Sequence, residues 1–350
     1  MDKIRVGLVG ITGYTGMELA RLLCGHPSMR LVMGCSRSES GRLLGDFYPF
    51  LRHLPGSDVV ITVYNAKEIA KQCDVVFLAV PHGKAMVMAG ELTDLGIKVV
   101  DLSADFRIHD ADVYEKWYKV THTRKDLLPK AVFGLPELYE EQIKKAQLVA
   151  NPGCYPTSAI LGLAPALSSG IVSGQDIVID SKSGTSGAGR KAQVTSLFCE
   201  VHDSFKAYGL AKHRHTPEIE QELSLLAGTP LTVSFNPHLV PMGRGILSTI
   251  YTKLACTMSL DEIWQAYADF YKDKPFVRVL PKGELPETRN VRGSLFCDIG
   301  LVTDERTGRL IIVSAIDNIC RGASGQALSN ANLMFGLPQA AGVNQAPILP

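Results

Sequence analysis

The first 150 residues alternate short apolar runs with amphipathic stretches. IRVGLVG near the N-terminus has the texture of a buried strand, and just beyond it Leu19, Leu22 and Leu23 recur at helical spacing. Further apolar runs follow at LVMGC (31–35), VVITV (59–63), VVFLAV (75–80) and KVVDLS (98–103), separated by the helix-like AKEIAKQ and GKAMVMAGELTDLG. Strands alternating with helices predict an α/β fold with a doubly wound, mostly parallel sheet. After NPGCYPTS the pattern changes: DIVIDSKSG, LTVSFNPHLV, GILSTIYTKL, LFCDIGLV and LIIVSAIDN read as strands with few helices between them. That texture predicts a central α+β domain with a largely antiparallel sheet. The last periodic stretch, ASGQALSNANLMFGL, is helical and is expected to rejoin the first domain. The expected division is 1–152 with 316–350, and 153–315.

Composition fits two cores of ordinary size, with 350 residues, 46% hydrophobic and 20% charged. The 36 basic and 35 acidic side chains leave a formal charge of +1, so nothing general draws the chain to nucleic acid or an anionic membrane, and a small-molecule partner is expected. MDKIRVGLVG enters a strand pattern without a cleavable apolar segment, and no later run is long enough to span a bilayer, so a cytoplasmic location is expected. The eight cysteines contain no C-x-x-C pair. Reduced thiols, and neither a disulfide framework nor a metal site, are expected.

Gly10, Thr12, Gly13, Tyr14, Thr15 and Gly16 lie between the first strand and first helix, where backbone N–H groups at a helix N-terminus hold a pyrophosphate. The spacing is G-x-x-G-x-x-G, and a plain turn is the alternative. At the end of the second strand stand Ser36, Arg37 and Ser38, where an enzyme using NAD usually presents a carboxylate to the ribose. Hydroxyls and a guanidinium suit a 2′-phosphate, so NADP(H) is the expected cofactor, although Arg37 alone also reads as a surface charge with Glu39 nearby.

Cys154 differs from the other seven cysteines, most of which read as inert packing. A strand ends at Asn151, Pro152-Gly153 forces a turn, and a helix starts, which places the thiol at a helix N-terminus where a thiolate is stabilised. In KHRHTPE, Thr216 suits an N-cap and Pro217 and Glu218 suit a first helical turn. His213 and His215 then occupy an extended approach, and alternation points both to one side. A general acid/base beside the thiol is favoured over a metal pair or a purely structural one. A third segment, SGTSGAGR (183–190), is either a flexible loop or a set of backbone donors, with Ser186, Gly187, Ala188 and Gly189, that closes on the cofactor.

Taken together, GITGYTGMELARLL, VDLSADFR, VFGLPEL, NPGCYPTSAILGLAP, SGTSGAGR, HRHTPEIEQEL and DNICRGASGQA resemble the N-acetyl-gamma-glutamyl-phosphate reductase family of the semialdehyde dehydrogenase superfamily, over nearly the whole chain. Ser158 stands where that family has Gly or Ala. The resemblance implies an NADP-binding Rossmann domain completed by the C-terminal helix, and a central domain carrying the active site and the contacts of a homo-oligomer. It implies Cys154 as nucleophile and His213 as acid/base, with His215 open for that role, and Asn318 near the nicotinamide. Arg107, Arg244, Arg190 and Lys182 are the cations expected for a substrate bearing phosphate and carboxylate, with Asn151 and His215 as further contacts. The implied reaction is NADPH-dependent reduction of N-acetyl-glutamyl 5-phosphate through a thioester on Cys154. The same chemistry on N-acetyl-aminoadipyl or aspartyl phosphate is the near alternative, since one methylene is worth only about 1–3 kcal/mol. A non-catalytic NADP sensor has no reason to keep the helix-terminal cysteine together with HRH.

Overall fold

The computed structural model describes residues 2–349. The chain forms two compact units, one running to Pro152 and resuming over Ala323–Gln345, the other spanning Gly153–Gly322 and resuming from Ala346.

In the first unit, strands β1 (Ile4–Val9), β2 (Met29–Cys35), β3 (Ile61–Thr62), β4 (Val75–Leu78), β5 (Lys98–Asp101), β6 (Val132–Phe133) and β7 (Leu148–Ala150) make one sheet in the order β3-β2-β1-β4-β5-β7-β6. Every described pairing in it is parallel. The order reverses between β1 and β4, the place where open α/β sheets bind ligands outside the strand ends. All four residues of β4 are fully buried, as a central strand covered on both faces requires. The apolar run 59–63 yields only a two-residue strand, because Val60 bridges back to Leu43 and Val63 lies exposed. KVVDLS stops at Asp101, whose carboxylate accepts from the Ser103 backbone N–H and hydroxyl and turns the chain.

The helix Gly325–Met334 belongs to this unit and is buried at every residue despite its amides. It is tolerated there because the side-chain N–H groups of its Asn330 and Asn332 are paired. Asn330 donates to the Gly134 carbonyl at 2.8 Å and to Asn151 Oδ1 at 3.1 Å, and Asn332 donates to Gln339 and Ala341 carbonyls.

The second unit holds β8 (Ile177–Gly184), β9 (Lys206–Ala207), β10 (Val233–Val240), β11 (Ile246–Lys253), β12 (Val277–Val279), β13 (Cys297–Asp304) and β14 (Arg309–Ile316) in the order β12-β13-β14-β11-β8-β10-β9. Four neighbouring pairs are antiparallel; β8–β10 and β12–β13 are parallel. The helix Cys154–Ser168 lies on this sheet, buried from Tyr155 to Leu167. Its Gly162 permits the close approach, since a Cβ there would sit 2.9 Å from Ile250 Cδ1. Ser158, fully buried in the same helix, is within hydrogen-bonding distance of the Ser248 and Ser314 hydroxyls, so a polar residue at a small-residue position finds partners. β14 pairs with β11 and β13 as far as Ile316. That pairing keeps residue 316 in the second unit, and the chain re-enters the first at Ala323 rather than at 316.

Candidate active site

The glycine turn of the first unit has a separate reason for two of its glycines. Gly10 has φ +87°, and a Cβ there would run into the Ala79 carbonyl oxygen. A Cβ on Gly16 would meet the Gly10 carbonyl and the Ile11 backbone, so the helix start is packed against the turn. The helix Tyr14–Cys24 begins after Gly13 with no side-chain cap, which leaves its first N–H groups for an anion. Thr12 and Ser36 hydroxyls lie 3.4 Å apart, Ser38 lies 3.4 Å from Ser36, and Arg37 is exposed beside them. Glu39, the nearest acid in sequence, pairs with Arg42 at 2.7 Å. This collection of backbone donors at a helix start after the first strand fits a dinucleotide.

In the second unit Cys154 is the first residue of its helix. The preceding N-cap, Gly153, is extended and supplies no side chain, and its N–H donates to Glu218 Oε1 at 2.8 Å. Gly322 closes from another direction, since a Cβ there would lie 2.6 Å from Cys154 Cβ. Cys154 is partly exposed and not disulfide-bonded. By contrast, burial pushes the Cys73 thiol up to about 12 and raises those of Cys35 and Cys24. Those three are disfavoured as nucleophiles by the same physics that favours a helix-terminal thiol.

Aromatic rings gather around this cysteine. Tyr155 packs edge-on against His213 (5.6 Å between centroids), His215 (6.0 Å) and Phe235 (5.3 Å). Its hydroxyl lies 2.9 Å from that of Tyr208, which in turn packs on His213. The Tyr208 hydroxyl is pushed up to about 12, chiefly by burial and further by the charge of a Cys154 thiolate, against a lowering hydrogen bond to Tyr155.

The HRH segment is a turn, not the extended approach its alternation suggested. Thr216 N–H donates to the His213 carbonyl, His215 is already helical (φ −80°, ψ −12°), and the helix Thr216–Ala227 starts one residue early. The two imidazoles still share a side, 4.9 Å apart, because a tight turn folds them together. His213 Nδ1 accepts the His215 backbone N–H at 3.1 Å. Burial, assisted by the Arg214 charge, pushes His213 down to about 4. It is therefore neutral near pH 7, and with Nδ1 accepting, hydrogen-bond logic puts its proton on Nε2.

SGTSGAGR is tied down in its first half. Thr185 and Ser186 N–H groups donate to Met242 and Gly243 carbonyls, and Asn318 donates to Ser186 Oγ while accepting from Gly245 N–H. Arg244 pairs with buried Asp317, which also accepts three backbone N–H groups, from Gly293, Ile319 and Cys320. Gly187, Ala188, Gly189 and Arg190 remain exposed. Lys182 pairs with Asp180, which also faces His238. Arg107 and Asn151 belong to the first unit. Arg107 is buried and donates to the Asn151 and Leu102 carbonyls; Asn151 donates to the Ala323 carbonyl. The second unit thus brings Cys154, Tyr155, Tyr208, His213, His215 and Glu218 together, pairs Arg244 with Asp317, and ties Ser186 to Asn318. Tyr155, Tyr208, Glu218 and Asp317 were not singled out as site residues from sequence; Tyr155, Glu218 and Asp317 sit inside the motifs that were. Among the described residues no cluster of three or more metal-ligating side chains occurs, and no helix is long and apolar enough to cross a membrane.

Family models match both units: "Semialdehyde dehydrogenase, NAD binding domain" over residues 5–146 and "Semialdehyde dehydrogenase, dimerisation domain" over 154–318. The N-acetyl-gamma-glutamyl-phosphate reductase of Desulfotalea psychrophila is 53% identical, covering 99% of this chain and 100% of its own. The chain belongs to the N-acetyl-gamma-glutamyl-phosphate reductase family. The reductase of the same name from Geobacter sp. strain M21 is 52% identical over the same shares. Membership makes the chain an oxidoreductase of the semialdehyde dehydrogenase type with a nicotinamide-binding N-terminal domain. Solved structures share the fold at low identity. Aspartate semialdehyde dehydrogenase II from Vibrio cholerae has TM-score 0.72 at 15% identity, covering 96% of this chain and 99% of that one. The Candida albicans aspartate semialdehyde dehydrogenase with NADP has TM-score 0.69 at 17% identity, covering 95% and 99%.

Proposed function

We propose that this chain reduces N-acetyl-glutamyl 5-phosphate to N-acetyl-glutamate 5-semialdehyde and phosphate, as a step of arginine biosynthesis, with NADPH as reductant and a thioester on Cys154. The observation that carries the reading is a thiol at the uncapped start of a helix, beside a neutral imidazole, in a chain 53% identical end to end to a reductase of that name. NADPH rather than NADH is supported by Ser36, Arg37 and Ser38 where a carboxylate would select the ribose diol. Gly10, Gly13 and Gly16 with the open helix start would hold its pyrophosphate.

The Cys154 thiolate attacks the acyl carbon, the bond from that carbon to the phosphate oxygen breaks, and phosphate leaves with the electron pair and takes up a proton. The nicotinamide, when bound, supplies a hydride to the thioester carbon. His213 then meets the oxygen on which negative charge develops. With Nδ1 occupied by the His215 N–H, it presents an Nε2–H donor, so it stabilises the tetrahedral oxyanion without giving up its proton. Collapse of that oxyanion breaks the carbon–sulfur bond, releases the aldehyde and returns the thiolate. Arg244, oriented by Asp317, is a cation for the substrate's phosphate or carboxylate. A homo-oligomer is part of the proposal, supported by the dimerisation-domain match and by Val194, Leu197, Phe198, Phe205 and Leu210, which expose apolar side chains in the second unit.

The test is phosphate-dependent oxidation of N-acetyl-glutamate semialdehyde with NADP⁺, run beside the aminoadipyl and aspartyl homologues. Activity should be highest on the glutamyl substrate and vanish in Cys154→Ser. A higher kcat/KM on either homologue would reassign the substrate, and turnover by Cys154→Ser would remove the thioester.

A further inference from the structure

The thioester reading leaves open what fixes the sulfur in place, and the following rests on that reading. We propose that Glu218 is a positioning residue for Cys154: reaching from the histidine-bearing turn, its carboxylate fixes Gly153 and with it the first turn of the cysteine helix.

Glu218 is fully buried, and its Oε1 accepts the Gly153 N–H at 2.8 Å. A buried carboxylate is costly unless it is hydrogen-bonded, and an N–H at a helix start is among its better partners. The other face of the Gly153 residue is held as well. Its carbonyl accepts from the Thr157 N–H and from the Thr157 hydroxyl, both at 2.9 Å. Gly153 has no side chain to anchor itself, so Glu218 and Thr157 together set the orientation of the peptide that leads into Cys154. On the far side, Gly322 abuts Cys154 Cβ with no space for another carbon. The thiol carbon is thus confined between a bare glycine and a peptide held by a carboxylate.

The position of Glu218 along the chain adds a second connection. It follows His215 by three residues, and His215 supplies both the carbonyl that takes Ile219 N–H and the N–H that fixes the His213 ring. One helical turn therefore holds the imidazole through its backbone and the thiol through Glu218. The cysteine and histidine helices pack on each other, which keeps this link short. The ionisable rings packed around this turn are Tyr155, Tyr208, His213 and His215. The tyrosines are raised by burial and His213 lowered, so these three keep their charge state through the neutral range.

The experiment compares Glu218→Gln and Glu218→Ala in the full-length protein. Three quantities are read: single-turnover phosphate release, the KM for NADPH, and the rate of iodoacetamide labelling of Cys154 across roughly pH 5 to 9. Glu218→Ala should slow phosphate release about 100-fold, the scale of a 1 Å misplacement, with the KM for NADPH unchanged. Glu218→Gln keeps an acceptor for Gly153 N–H, so it should restore release to within about tenfold of wild type. Loss of the Gly153 anchor should also slow labelling of Cys154 in Glu218→Ala relative to Glu218→Gln, because the sulfur is then held less firmly. Wild-type release in Glu218→Ala, or a Gln variant no better than Ala, would overturn the proposal. If the Ala variant fails to fold, Glu218→Asp, whose shorter side chain draws the carboxylate away from the Gly153 N–H, takes its place, and wild-type phosphate release in it overturns the proposal. Absence of phosphate release in the wild-type protein would remove the thioester reading alone, because labelling of Cys154 reports on Glu218 without any substrate.

Discussion

At the scale of single residues, His213 carries the clearest pH signature. Burial first, and the Arg214 charge second, hold its folded-state value at about 4 against an ordinary 6.5. Between those values an unfolded chain binds a proton that the folded site refuses. Stability is therefore lost as pH falls from about 6.5 toward 4, and none of this loss occurs above that window. The sign carries over to function: the active form is the neutral ring, and the acid limb of kcat/KM that belongs to this group should lie near pH 4. Denaturant midpoints of wild type and His213→Asn, measured across the window, should converge as pH falls. Parallel curves, or an acid limb near 6.5 that His213→Asn removes, would show an ordinary solvated histidine. HRH could be singled out in the sequence because two histidines stand directly before a helix start, and the structure sets both rings against Tyr155. The tautomer was not legible: it depends on a backbone N–H meeting Nδ1 across a turn, and the alternation rule had assumed extended chain. Tyr208 was invisible for a similar reason, since a tyrosine far from Cys154 in sequence reaches it only through the pairing of β9 with β10.

At the scale of elements, the strands and helices came through from periodicity wherever burial alternates cleanly, as along β8 and β11. Periodicity failed where a side chain or a neighbouring segment overrides it. The 59–63 run lost Val60 to a bridge with Leu43 and Val63 to solvent, and the buried final helix depends on asparagine pairing that no apolar period reports. VDLSADFR illustrates a motif quoted only for its resemblance and now given a local role. Asp105 accepts the Gly83 and Met86 N–H groups at the start of the helix Ala85–Asp94 and the Tyr114 hydroxyl, and so fastens the loop after β5. DNICRGASGQA yields a sharper prediction. Gly322 has no positive φ to demand a glycine; what it lacks is room, with Cys154 Cβ 2.6 Å and Cys154 Cα 3.0 Å from where a Cβ would stand. Gly322→Ala must displace the first residue of the cysteine helix by several tenths of an ångström. Turnover should fall by about 10- to 100-fold, whereas the far-ultraviolet spectrum and NADPH affinity stay near wild type. Full turnover in Gly322→Ala would mean that the placement of Cys154 Cβ is loosely tolerated.

At the scale of the molecule, two units with separate sheets were legible because the texture of the chain changes once, at the cysteine motif. The return at Ala323 and the second return from Ala346 were not, since a strand that runs to Ile316 and a turn built around Asp317 look continuous with the final helix in sequence. The division assigns the dinucleotide cradle and the thiol to different units, and a measurement on the intact chain can separate them. A ligand that binds only the folded state stabilises it by RT ln(1 + [L]/Kd), about 2.7 kcal/mol at a hundredfold excess over Kd. If Ser36, Arg37 and Ser38 receive the 2′-phosphate, NADPH should raise the melting temperature well above the shift given by equal NADH. Cys154→Ser should retain that difference in full, because its oxygen changes nothing in the glycine turn. Arg37→Ala should lower the NADPH shift toward the NADH value and leave the NADH shift intact, since only the phosphate contact is lost. Equal shifts for the two cofactors in wild type would withdraw the NADP assignment. A difference that survives Arg37→Ala would transfer the 2′-phosphate to the hydroxyls of Thr12, Ser36 and Ser38, of which Ser36 already lies 3.4 Å from each of the other two.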